Sequence, residues 1–116
     1  MAIPSYPGHF SARVFDPPGV VPEGYVLLDI REANEWAAGH APGAVHLPLS
    51  RIPGHLDELP KGDIILICRS GNRSATLMDW LITQGHRVWN VRDGMIGWKV
   101  AGYPVVRDDG QPGQII

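Results

Sequence analysis

The chain has 116 residues, 44% of them apolar, and a formal charge of −2 from ten basic and twelve acidic side chains. That length suits one domain spanning residues 1–116 around one hydrophobic core. Basic residues scattered among acids leave no footprint for nucleic acid, and a single cysteine excludes an internal disulfide, as in a reducing compartment. The start, Met1 to Phe10, has no cationic region and no apolar run long enough for export. No segment approaches membrane-spanning length. The expectation is a soluble, cytoplasmic protein with no nucleic-acid and no membrane partner.

Residues 1–24 are rich in proline and glycine, with turn signals at Asp16-Pro17-Pro18-Gly19 and Pro22-Glu23-Gly24. Just before the first of them, Ser11-Ala12-Arg13-Val14-Phe15 is read as a short strand. Tyr25 to Ile30 is a buried strand, and Glu32 to Ala38 a short helix that Gly39 ends as a left-handed cap. A Pro42-Gly43 turn leads into a brief strand at Ala44-Val45-His46. A second short helix starts at Leu49 and extends toward Leu59, before Pro60. Ile64 to Ile67 is a run of four aliphatic residues, three of them isoleucine, which marks a strand buried on both faces.

That strand runs into Cys68, a polar and glycine-containing loop, and a helical pattern from Ala75. In the helix Ala75, Met78, Leu81 and Ile82 recur at helical spacing to pack on a sheet, and Gly85 ends it. His86 to Val91 alternates as the next strand, and Gly94 to Val100 is a last short helix. The tail after Val105 is polar, and either ordered against the surface or mobile. Trp36, Trp80, Trp89 and Trp98 are read as core and helix-packing aromatics. Strands alternating with helices argue an α/β domain with a largely parallel sheet and right-handed crossovers. In such folds the site lies at the carboxyl ends of the strands, where Cys68 sits.

The loop carries the chemistry. A strand, a tight turn and a helix start gather backbone N–H groups around one point, with the positive end of the helix dipole behind them. Thiols near helix N-termini and arginines are favoured as thiolates, and Arg69 and Arg73 place two cations within the same turn. The arrangement is that of a nucleophile acting on anions. A lone cysteine after an apolar strand can also be an inert packing residue, but the loop and helix start weigh against that. Asp29 and Arg31 are read as a structural polar pair anchoring the following turn. His40 and His46 are read as hydrogen-bonding groups at loop ends, and Glu32 and Glu35 as helix N-terminal charges. No histidine lies at ligand spacing from Cys68, so neither a metal nor a cofactor is suggested.

Cys68-Arg69-Ser70-Gly71-Asn72-Arg73-Ser74 resembles the active-site loop of rhodanese-type sulfurtransferases, Cys-x4-Arg followed by Ser or Thr. Leu28-Asp29-Ile30-Arg31-Glu32 and Gly39-His40-Ala41-Pro42-Gly43-Ala44-Val45-His46-Leu47-Pro48 are similar to two further signatures of that family. Asn90 to Trp98 and Ala101-Gly102-Tyr103-Pro104-Val105 resemble its ending. The resemblance covers about residues 25–105, leaving 1–24 and 106–116 as extensions, and four motifs in order are more specific than the loop alone. One departure is Asp93, where the family often has the first glycine of a Gly-Gly pair, so the local turn is altered there.

The resemblance implies the rhodanese-like α/β fold, a five-stranded, mainly parallel sheet flanked by helices. It also implies sulfur transfer through a Cys68 persulfide. A small anionic donor such as thiosulfate would load the thiolate, and cyanide, a thiol or a partner protein would take the sulfur away. The loop residues Arg69, Ser70, Gly71, Asn72, Arg73 and Ser74 are the substrate-binding candidates. Their N–H groups would stabilise the anions, Arg73 would fork the sulfonate oxygens, and Arg69 would steer anions from solvent. Gly71 would give the backbone a left-handed or crowded turn.

Two alternatives stand beside this. A sulfur relay between proteins uses the same chemistry with different partners. A cysteine phosphatase or arsenate reductase carries a Cys-x5-Arg loop, one residue longer than the ring here, and commonly a histidine where this chain has Ile67.

Overall fold

The structure, a computed structural model, describes residues 3–116. Met1 and Ala2, the start of the proline- and glycine-rich lead-in, lie outside the described residues. Among the described residues five strands are formed: β1 (His9–Phe10), β2 (Tyr25–Asp29), β3 (Val45–His46), β4 (Asp63–Ile67) and β5 (Val88–Val91). They make one sheet in the order β1-β5-β4-β2-β3, and every pairing is parallel. The helices are α1 (Ala33–Ala38), α2 (Asn72–Thr83) and α3 (Gly94–Val100). Among the described residues no helix is long and apolar enough to cross a membrane.

β4 is central, with β2 and β5 on its two sides. Its side chains alternate between two separate cores. Ile64 and Leu66 pack with Leu28, Ile30, Val88 and the α2 residues Leu77, Met78 and Leu81. Ile65 and Ile67 pack with Leu27, Trp89, Val91 and the α3 residues Met95 and Trp98. Burying each such side chain contributes about 1.5–3 kcal/mol, more than a typical hydrogen bond. Burial on both faces therefore fixes the register, and a slip of one residue would exchange the faces. Continuing the alternation by one step, Cys68 joins the core on the α2 face.

Several local expectations change. Ser11 to Phe15 is not a strand: Ala12–Val14 forms a 3-10 helix, and the edge strand lies just before it at His9–Phe10. The reason is Asp93, whose carboxylate accepts from Ser11 Oγ at 2.9 Å and from the Ala12 N–H at 2.8 Å. The segment from Leu49 toward Leu59 divides into two 3-10 turns, Leu49–Gly54 and Leu56–Glu58, with Pro53 inside the first. Proline's missing N–H and ring bulk oppose an α-helix through that point. Helix α2 starts at Asn72, before Ala75. Its inner face is Ser74, Leu77, Met78 and Leu81, whereas Ile82 is 41% exposed.

Gly39 follows α1 in extended backbone, φ 165° and ψ 145°, not in a left-handed cap. Its glycine has another cause. A methyl group there would lie 2.6 Å from the Gln114 nitrogen and 2.7 Å from its oxygen. The C-terminal tail is thus ordered against the surface. Val106 bridges to His40 and Pro112, and the Gln114 N–H donates to the Ala38 carbonyl at 2.8 Å. Trp89 and Trp98 are buried as expected, but Trp80 is 37% exposed and Trp36 stacks on His40 with centroids 3.6 Å apart.

Gly39→Ala tests the tail contact. Overpacking against backbone costs about 1–3 kcal/mol, and the tail has to move because the backbone of residue 39 is already unstrained. The expected outcome is a lower thermal midpoint together with faster tryptic cleavage after Arg107. An unchanged cleavage rate would show that the tail does not depend on this approach.

Candidate active site

Cys68 leaves the carboxyl end of β4 and is only 1% exposed. Its sulfur has two polar neighbours. The Gly71 N–H donates to Sγ at 3.1 Å, and Ser74 Oγ lies 3.1 Å from Sγ on the first turn of α2. The Ser74 side chain is fully buried and can alternatively donate to the Gly71 carbonyl at 3.3 Å. The loop from Cys68 to Ser74 therefore closes on the sulfur from two sides. One backbone N–H and one hydroxyl are thus held within hydrogen-bond distance of the sulfur.

Gly71 makes the closure possible. It caps α2 at φ 94°, and a methyl group there would run into the Arg92 carbonyl. Both the left-handed conformation and the close approach call for glycine. The Gly71 carbonyl accepts from the Ala75 N–H at 3.0 Å and from Asn90 Nδ2 at 3.2 Å. The start of α3 holds the other half of the loop: Met95 N–H donates to the Cys68 carbonyl at 2.8 Å and Ile96 N–H to the Arg69 carbonyl at 3.0 Å. Gly94 lets α3 come that near, since a methyl group would lie 2.5 Å from the Cys68 carbonyl oxygen.

The arginines differ in employment. Arg73 Nη1 and Nη2 donate to Glu35 Oε1 and Oε2 at 2.8 and 2.9 Å, a bidentate pair joining α2 to α1. Three of its five N–H donors remain for another acceptor. Arg69 is exposed at the loop tip and its Nε donates to the Ile116 main-chain oxygen at 3.0 Å. Ser70 and Asn72 are exposed beside it.

The family profile described as Rhodanese-like domain matches residues 18–101. The chain belongs to the rhodanese-like family. A protein named Sulfurtransferase from Allochromatium vinosum is 42% identical over 90 residues, covering 76% of this chain and 84% of that protein. A putative sulfurtransferase, YtwF, from Bacillus subtilis is 40% identical over 78 residues, 66% of this chain and 76% of that one. The crystal structure of a rhodanese-related protein from Thermoplasma volcanium superposes with a TM-score of 0.75 at 28% identity, covering 87% of this chain and 98% of the other.

In this rhodanese-like domain Cys68, Gly71 and Ser74 meet at one point, while Arg69, Ser70 and Asn72 form the outer rim. Asp29 and Arg31 do not enter the loop. They are a fully buried pair, with Arg31 Nη2 2.8 Å from Asp29 Oδ2 and 2.7 Å from the Gly39 carbonyl, fastening both ends of α1. His40 and His46 bind the Trp36 and Arg31 carbonyls at 2.9 and 2.7 Å, the loop-end roles read from sequence. Three contributors went unseen: Glu35 behind Arg73, Asn90 behind Gly71, and Gly94 under the Cys68 carbonyl. Gly94 alone left a signal, as a glycine opening a helix after a strand. The partners of Glu35 and Asn90 are 38 and 19 residues distant, beyond any local pattern.

Hydrogen bonds from Arg73 hold the Glu35 carboxyl below the ordinary glutamate value near 4.5, against burial that pushes it up. The same bonds raise Arg73. A carboxyl lowered in the folded state stabilises the fold above its ordinary value, and that contribution is lost as pH falls through its own lower value. With Arg73 partly exposed, solvent screening limits the pair to about 1 kcal/mol. Urea unfolding of the parent chain and Glu35→Gln should show that gap near neutral pH and its closure below about pH 4.5. A gap that widens in acid would remove the pair as its source.

Proposed function

We propose that this domain moves a sulfane sulfur from thiosulfate, or a related anionic donor, to a thiophilic acceptor through a persulfide on Cys68. Membership in the rhodanese-like family and the sulfurtransferase names of two relatives support sulfur transfer as the general chemistry. The observation that carries the finer reading is the sulfur's setting: Sγ at the end of the central strand, 3.1 Å from the Gly71 N–H and 3.1 Å from the Ser74 hydroxyl.

In the first step the Cys68 thiolate attacks the outer sulfur of thiosulfate. The new S–S bond forms as the bond to the sulfonate sulfur breaks, and sulfite leaves with the electron pair. The product is a Cys68 persulfide anion. In the second step cyanide or a thiolate attacks the terminal sulfur and the Cys68 thiolate is regenerated, which is two-step covalent catalysis. The Gly71 N–H and the Ser74 hydroxyl stabilise the anionic sulfur at both stages. Arg73, fixed by Glu35, offers its remaining donors to the sulfonate, and Arg69 at the rim captures the anion or faces a protein acceptor.

The ring size supports sulfur over phosphorus. Four residues separate Cys68 from Arg73, so the loop is one residue shorter than that of the cysteine phosphatases. The buried Ser74 side chain further occupies the space beside the sulfur.

Cys68→Ser should abolish sulfur transfer with the fold intact, because a serine hydroxyl forms no persulfide. Intact mass after thiosulfate treatment should show one added sulfur atom on the parent chain, removed by a reductant and missing from the variant. Turnover by the variant near the parent rate would dismiss Cys68 as nucleophile. An aryl-phosphate hydrolysis rate exceeding the sulfur-transfer rate would instead reverse the ring-size argument.

A further inference from the structure

A cavity whose lining includes none of the loop residues 68–74 lies where β1 and the Ala12–Val14 turn meet the end of β5 and α3. Its volume is ≈ 660 Å³, and its walls include His9, Phe10, Arg13, Val14, Arg92 and Val100. That volume falls within the range of small-molecule sites, about 300–1,000 Å³.

The charges in it are unusual for this molecule. The chain has eight arginines. Five are in salt bridges: Arg31 with Asp29, Arg51 with Glu58, Arg73 with Glu35, Arg87 with Asp63 and Arg107 with Asp109. Arg69 donates to the main-chain oxygen of Ile116. The two that remain, Arg13 and Arg92, have no side-chain partner among the described residues, and both line this one cavity. The nearby acid does not neutralise them by pairing. Both Asp93 oxygens are taken by the wall, Oδ2 by the Ser11 hydroxyl and Oδ1 by the Ala12 N–H.

His9 adds a donor. Asn90 Nδ2 lies 3.2 Å from the Gly71 carbonyl, a pure acceptor, so the amide nitrogen must face it. The same Nδ2 sits 3.1 Å from His9 Nδ1, which accepts its second proton. With Nδ1 accepting, the donor N–H of the His9 ring is at Nε2, which has no partner among the described residues.

We infer that this cavity is a second anion site, separate from the Cys68 loop, for a small phosphate monoester with an apolar body. Two guanidinium groups match a dianion in charge and fork geometry, and a phosphate monoester is largely dianionic at pH 7. Val14 and Val100 supply apolar contact for the remainder of such a molecule. A sulfate ester offers the same oxygens with one charge fewer and binds more weakly.

The test is a titration of the uniformly 15N-labelled chain with phenyl phosphate, followed by amide shifts. Saturable shifts are expected across residues 9–14 and 92–97, with inorganic phosphate and phenyl sulfate both weaker at the same amides. Arg13→Gln and Arg92→Gln should each weaken phenyl phosphate about tenfold or more, as for loss of a hydrogen bond between charged groups. Both side chains are exposed and unpaired, so both variants should fold, and their amide spectra report this directly. Shifts confined to residues 69–74, shifts that stay linear in ligand, or affinities unchanged in both variants would each overturn the site. Equal binding of phenyl sulfate would overturn the dianion assignment.

Discussion

One peptide group does several jobs in this loop. The Gly71 N–H points at the Cys68 sulfur, while the Gly71 carbonyl faces Ala75, Ser74 and Asn90. Its Cα lies where a side chain would collide with the Arg92 carbonyl. The turn that gives the sulfur its donor is thus also the cap of α2 and the contact with the end of β5. A side chain at residue 71 would disturb all three at once, through left-handed strain and through the clash.

The rest of the architecture makes that turn reproducible. Two-sided burial fixes the register of β4 and sends Cys68 to the α2 face. Helix α2 then begins within four residues, so the sulfur and the first helical turn share a narrow space. From the opposite direction α3 binds the Cys68 and Arg69 carbonyls through the Met95 and Ile96 N–H groups. Both polar ends of the loop backbone are therefore occupied by other elements. The Gly71 N–H and the Ser74 hydroxyl are thereby held beside the sulfur by the packing of three elements.

What was legible in the sequence follows from the range of each interaction. The aliphatic run of β4, the glycine in the loop and the Cys-x4-Arg spacing are local, and they disclosed the fold class and the nucleophile candidate. The 3-10 turn at Ala12–Val14 and the extended Gly39 leave no local signal because each is decided at a distance. Asp93 pulls the first out of extended conformation, and the backbone of residue 114 excludes a side chain at the second. Glu35 was read correctly as a charge at the start of α1, yet its pairing with Arg73 depends on how α1 and α2 pack. A helix of six residues carries no information about which helix it will face.

Asp93 shows how one departure from a family pattern can be absorbed. Its backbone sits at φ −101° and ψ 0°, so this position needs no left-handed residue. The carboxylate faces inward enough that a side chain on Gly97 would collide with it. Gly97 therefore provides room within α3 for an acid at its own N-terminus. In return the acid ties Ser11 and Ala12 to α3. That tie lies next to β1, whose His9 pairs in register with Asn90 and meets the Asn90 amide. Since Asn90 holds the Gly71 carbonyl, the segment before β2 is mechanically part of the loop's support. The lead-in that composition presented as a string of turns is bound, through one aspartate and one asparagine, to the peptide group that faces the sulfur.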